Sequence, residues 1–204
     1  IMYKISGFAD EISPATDIQF EVLNKLGIKS FEPRGIDGKN ISDLTDDEAR
    51  LLRRKMDKAG ISVSSIGSPI GKIQITDDFA PHMEKLAQTI RTAKILGSAY
   101  IRMFSFYIPD GRYDEYRGEV MDRMKKMTEL AGKEGVMLLH ENEKGIYGDI
   151  PERCKDILEP VNSPCLRAVF DMAIFVQCGA ETYPHAFEML KPYIEYMHIK
   201  DAIS

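Results

Sequence analysis

Three apolar runs in the second half of the chain each end in a residue type that binds divalent metals. Val136-Met137-Leu138-Leu139-His140 leads into Glu141, Leu166-Arg167-Ala168-Val169-Phe170 into Asp171, and Tyr193-Ile194-Glu195-Tyr196-Met197 into His198. Each run is short and follows a longer segment of helical period, so the three read as successive parallel strands joined by helices. Glu, Asp and His then stand at the same end of neighbouring strands, and in a barrel of such strands that end is where active sites are built. Two carboxylates and an imidazole aimed into one mouth suit a single divalent cation of the Mn, Mg, Co or Zn kind.

The elements that must position these groups recur along the whole chain. Candidate strands are Tyr3–Phe8, Ile28–Glu32, Ile61–Ile66, Tyr100–Phe106, Val136–Glu141, Leu166–Asp171 and Tyr193–His198. Amphipathic helices lie between them. Phe79, Met83, Leu86, Ile90 and Ala93 form one apolar stripe at four- and three-residue steps. Thr45-Asp46-Asp47-Glu48 is a capping box, and Ser13-Pro14 a second start signal with proline at the first helical position. Gly27, Gly60, Gly97 and Gly135 each close a helix just before a strand, at intervals of 33, 37 and 38 residues. Repeats of that length imply right-handed β–α crossovers. The expected fold is therefore α/β, a (β/α)8 TIM barrel in one domain spanning residues 1–204.

Only seven of its eight strands are found. The expectation is that the natural protein continues for roughly one and a half further β–α units beyond Ser204, supplying the eighth strand and last helix. The alternative is an open barrel completed by a partner chain.

Composition narrows the partners. Apolar residues make up 44% and charged residues 29%, the balance of a soluble globular chain. A net charge of −5 weighs against nucleic acid or an anionic membrane as the main partner, and no apolar stretch is long enough to span a bilayer. Cys154, Cys165 and Cys178 show no paired spacing and read as reduced thiols of a cytoplasmic protein. His82 and His185 read as surface residues on helices. His140 precedes Glu141, so strand alternation turns it away from the ligand side.

The order of motifs resembles the sugar phosphate isomerase/epimerase superfamily, the xylose isomerase-like TIM barrels. The matching pieces are Phe8-Ala9-Asp10-Glu11, Phe31-Glu32-Pro33, His140-Glu141-Asn142, Phe170-Asp171 and His198-Ile199-Lys200-Asp201. The resemblance implies one divalent cation held by Glu141, Asp171 and His198, with a fourth ligand, a second glutamate, on strand eight. It also implies that the two glutamates form an acid/base pair, which makes Glu141 the catalytic candidate. Glu32, Arg102 and Lys200 are then expected to contact substrate. For Arg102 the competing reading is an internal pair with Glu32 or Glu141, and for Lys200 a solvated strand-end lysine.

The implied activity is isomerisation or epimerisation of a sugar or sugar phosphate. A proton is removed next to a carbonyl, and the resulting enediolate is stabilised by the cation. Return of the proton to the same carbon inverts it; return to the neighbouring carbon exchanges aldose and ketose. The alternative is an inosose dehydratase-like lyase acting on a keto-polyol. A non-catalytic sugar-binding protein and an endonuclease IV-like zinc nuclease are further readings. The nuclease would need histidines where Gly67-Ser68, Phe106-Tyr107 and Ile174 stand. Ile174 and Ser204 also replace a histidine and an arginine of the ketose 3-epimerases. The expected partner is a small sugar or keto-polyol, not nucleic acid or membrane, and self-association into a homo-oligomer is compatible with it.

Overall fold

The computed structural model describes residues 3–201, which fall into two compact units. The first comprises the chain up to Ser68 together with Glu84–Ile101, and the second Pro69–Met83 together with Arg102 onward. In chain order the elements are α1 (Thr16–Lys25), β1 (Ser30–Phe31), β2 (Gly35–Ile36), β3 (Lys39–Asn40), α2 (Asp46–Ala59), β4 (Ser62–Val63) and α3 (Ala80–Leu96). They are followed by β5 (Tyr100–Met103), α4 (Tyr113–Glu134), β6 (Met137–Glu141), α5 (Pro151–Val161), β7 (Leu166–Asp171), α6 (Met172–Gln177), α7 (Phe187–Leu190) and β8 (Ile194–His198).

Six of the seven expected strands are present, several of them shorter than their apolar runs. Tyr3–Phe8 is the exception. It carries no strand, and Tyr3 and Ile5 are exposed, so burial does not reward pairing there. One backbone bond, from Glu32 N to Gly7 O, ties it down. A short antiparallel hairpin, β2–β3, was not expected; it turns through Asp37 and Gly38, both at positive φ. Among the described residues the strands form three sheets, β1–β4, β2–β3 and β5-β6-β7-β8, and they do not close a ring of eight.

In the first unit, α2 opens with the expected capping box. Its apolar stripe buries Ala49, Leu52 and Met56, and the stripe of α3 buries Leu86, Ile90 and Ala93. The start of α1 differs from expectation. Ser13 Oγ accepts from Ala15 N, and Thr16 N is capped by Asp37 Oδ1 at 2.9 Å, so the helix begins at Thr16 and not at Pro14. A carboxylate remote in sequence has displaced the local signal.

The second unit is built on the four-stranded sheet. Met121, Met124, Met127 and Ala131 of α4 are buried, whereas Lys125 and Lys126 face water. The segment after Pro69 lies along the chain beyond β5: Phe104 N donates to Ile70 O and Phe106 N to Gly71 O. Gly71 sits at φ +88, and a Cβ there would lie 2.0 Å from Phe104 O, so the approach requires glycine. His82 holds this segment. The sequence places it on the surface, but it is 7% exposed and its Nε2 accepts from Gly71 N at 2.7 Å. Periodicity marks a helix face and cannot show a loop folding over it.

Candidate metal centre

The ends of β6, β7 and β8 carry Glu141, Asp171 and His198, and parallel pairing brings them together. Register places Glu141 opposite Val169 and Asp171 opposite His198. Between Ala168 and Val169 the pairing of β7 with β8 shifts: Ala168 faces Ile194, but Val169 faces Tyr196. The register thus shifts by one residue at Glu195, in the manner of a β-bulge. In a ladder that kept Glu195 but lacked the shift, Asp171 would face Met197, and His198 would project from the opposite side of the sheet. The bulge therefore sets the imidazole on the face that holds both carboxylates.

All three residues are buried, and one ligand atom from each lies within 4.8 Å of the others. His198 Nδ1 is 2.7 Å from Glu141 Oε1, and Arg102 Nη1 is 3.2 Å from Oε2. Lys200 Nζ lies on Asp171 Oδ2 and 3.4 Å from Glu141 Oε1. Asp171 Oδ1 caps α6 by accepting from Ile174 N at 3.2 Å. Asn142 fixes the two strand ends to each other, its Nδ2 donating to Asp171 O and its Oδ1 accepting from Asp171 N. Nothing in the His140-Glu141-Asn142 motif announces this task. A single amide reaching across strands leaves no periodic signal.

Two buried oxygens, Glu141 Oε2 and Asp171 Oδ2, are met by the cationic groups of Arg102 and Lys200. Burial pushes the Glu141 carboxyl toward its neutral form, but His198, Arg102 and Lys200 together hold it well below the usual carboxylate range. For Asp171 burial prevails and raises it; the Glu141 charge adds to that rise, and Lys200 opposes it. Lys200 is displaced upward, burial being outweighed by its two carboxylate neighbours. Two adjacent buried carboxylates need positive charge beside them. With an imidazole beside the two carboxylates, the donor set fits a divalent cation.

Arg102 thus has the internal partner Glu141 that the sequence allows, and its guanidinium lies 5.1 Å from the Phe104 ring centre. Glu32 is buried within the first unit. His140 points away from the centre, as alternation requires, and its Nε2 meets Ser105 Oγ at 2.9 Å. Burial lowers its pKa to about 4, so the ring is neutral near pH 7. His185 is exposed against Glu152. The three cysteines are free. No helix among the described residues is long and apolar enough to cross a membrane. Ser204 lies outside the described residues.

Residues 20–204 match a family model described as a xylose isomerase-like TIM barrel. Curated proteins give no significant match. Among solved structures, a probable 3-DHS dehydratase from Bacillus anthracis superposes with a TM-score of 0.77 at 22% identity, covering 93% of this chain and 68% of that one. A xylose isomerase-like TIM-barrel protein from Mycobacterium smegmatis, solved with magnesium, gives 0.73 at 16% identity, with 98% and 76% covered. A 3-keto-D-glucoside 4-epimerase from E. coli gives 0.70 at 14% identity, with 90% and 73% covered. At these identities the likeness establishes the fold.

Proposed function

Because the chain belongs to the xylose isomerase-like TIM-barrel family, we propose that it is a divalent-metal-dependent isomerase or epimerase of a sugar or sugar phosphate. The observation that carries this reading is the meeting of Glu141, Asp171 and His198, all buried, with one ligand atom from each within 4.8 Å of the others. When bound there, the cation supplies a Lewis acid beside the substrate carbonyl.

The chain's own groups do the rest. Glu141 takes the proton from the carbon next to the carbonyl, and its neighbours set how readily it does so. In the arrangement described, the charges of Arg102 and Lys200 and the His198 contact make it a weak base. Withdrawal of Lys200 from Glu141 raises its proton affinity. Asp171 and His198 act as ligands, and Asn142 keeps the Asp171 backbone at the correct height. Glu32, Arg102 and Lys200 are proposed to contact substrate, a small sugar or keto-polyol.

The test is proton exchange. The protein, supplied with Mn2+, is incubated in deuterated water with a panel of aldoses, ketoses and cyclic keto-polyols, and products are read by NMR. Deuterium should enter at the carbon next to the carbonyl, and an isomeric sugar should form. Glu141→Gln should lose this by about 100-fold or more even at saturating metal, because the amide is not a base. Metal-dependent turnover without deuterium entry would sink the proposed mechanism, and wild-type turnover by the saturated variant would reduce Glu141 to a ligand. The second reading is a lyase that dehydrates a keto-polyol after the same proton removal; the fold shared with a probable dehydratase favours keeping it. Loss of water from the product distinguishes it.

A further inference from the structure

Lys200 reaches both carboxylates of the candidate centre. Its Nζ lies on the buried Asp171 Oδ2 and 3.4 Å from Glu141 Oε1. It thus contacts both carboxylates of the centre. Resting on the metal-dependent reading above, we infer that Lys200 is a built-in competitor for the metal, holding the two carboxylates together until a divalent cation displaces it.

Geometry makes the two occupants exclusive. A divalent cation bonds carboxylate oxygens at about 2.0–2.6 Å. The three ligand groups lie close together, and an ion that takes Asp171 Oδ2 and Glu141 Oε1, the oxygens that Lys200 meets, would displace the ammonium from them. Two positive charges at such range would also repel strongly where water is scarce. Arg102 is less able to yield. It stands in β5, is 7% exposed, pairs with Glu141 and lies over Phe104. Lys200 follows β8 outside any helix or strand, and its side chain is 40% exposed. A four-carbon stem at the edge of water lets the ammonium swing out. The strand-end lysine therefore sets the affinity of the site, because the apparent affinity falls with the fraction of molecules in which the oxygens are clear.

The experiment titrates metal-free protein with Mn2+ by calorimetry. Lys200→Met should bind Mn2+ about 10-fold more tightly, as expected when a competitor that fills the site about nine-tenths of the time is removed. Metal-free Lys200→Met should also melt below wild type, and saturating Mn2+ should close that gap. Lys72→Met is the control for net charge, because Lys72 pairs with Glu143 at 2.8 Å and not with a ligand carboxylate; its affinity should stay at the wild-type value. Lys200→Gln serves in the same way if the methionine variant folds poorly. Unchanged or weaker Mn2+ binding in the Lys200 variants overturns the inference, and so does an equal gain in Lys72→Met. If wild type and Lys200 variants alike bind no divalent cation, the metal-dependent reading falls with it, whereas equal, measurable affinities overturn the competition alone.

Discussion

Glu48 and Asp171 are both carboxylates at the start of a helix, one in each unit, and they are used differently. Glu48, in the first turn of α2, has both oxygens engaged: Oε2 accepts from Thr45 N at 2.8 Å, and Oε1 meets Lys39. Its side chain is partly exposed, so water can complete whatever the protein leaves. Asp171 engages Oδ1 in capping α6 and sets Oδ2 against the Lys200 ammonium, in a side chain that water does not reach. In each case a carboxylate oxygen accepts from a backbone N–H of the first turn, Glu48 from the N-cap and Asp171, itself the N-cap, from Ile174. Burial of the second oxygen is what separates a stabiliser from a ligand.

The largest effect expected from that contrast is at Asp171. Asparagine caps helices as well as aspartate does, so Asp171→Asn should keep the fold while Mn2+ affinity drops by about 100-fold or more. Calorimetry with circular dichroism measures both, and unchanged affinity would erase the distinction drawn here. A smaller, opposite pattern is expected at the other helix. Thr45→Ala removes the capping hydroxyl and should cost about 1 kcal/mol in denaturant unfolding, with Mn2+ affinity untouched. A shift in metal affinity from this surface cap would show that the two carboxylates are not independent.

The smallest effect concerns acid. The Lys39 contact, followed by the bond from Thr45 N, lowers the Glu48 pKa to about 2. Because the folded value is lowered, its contribution is present above the ordinary 4.5 and is lost as pH falls through about 2. Lys39→Met removes the largest cause, so carboxyl NMR titration should show Glu48 protonating at higher pH. An unmoved titration would assign the shift to the cap alone.

Much of the second unit is legible in the sequence because its strands are buried and apolar. Long runs such as Leu166–Asp171 declare themselves, and a charge that closes such a run stands out against it. The first unit is harder to read. Tyr3–Phe8 has strand composition but exposed side chains, and β2–β3 is two residues per strand, too short for any period to register. His82 and Asn142 escape notice as working residues because each acts through long-range bonding to backbone, from Gly71 and with Asp171 respectively. For Arg102 the charge inside an apolar strand is a usable signal, and an internal partner is one of the two outcomes it allows. The convergence of Glu141, Asp171 and His198 on one face follows from a common strand-end register, yet in β8 that register holds only through the bulge.

That bulge has a bearing on which changes of length the chain can absorb. Losing a residue from a strand ordinarily turns every later side chain to the wrong face. In β8 the outcome depends on which residue is lost. Deleting Glu195 removes the residue at which the register shifts, so Tyr196 can stay opposite Val169 and His198 opposite Asp171. Deleting Met197, two positions later, carries the imidazole to the far side and leaves the carboxylates without their nitrogen donor. The register shift in β8 is thus the place where a homologous chain could be one residue shorter and still present a histidine to the same two acids.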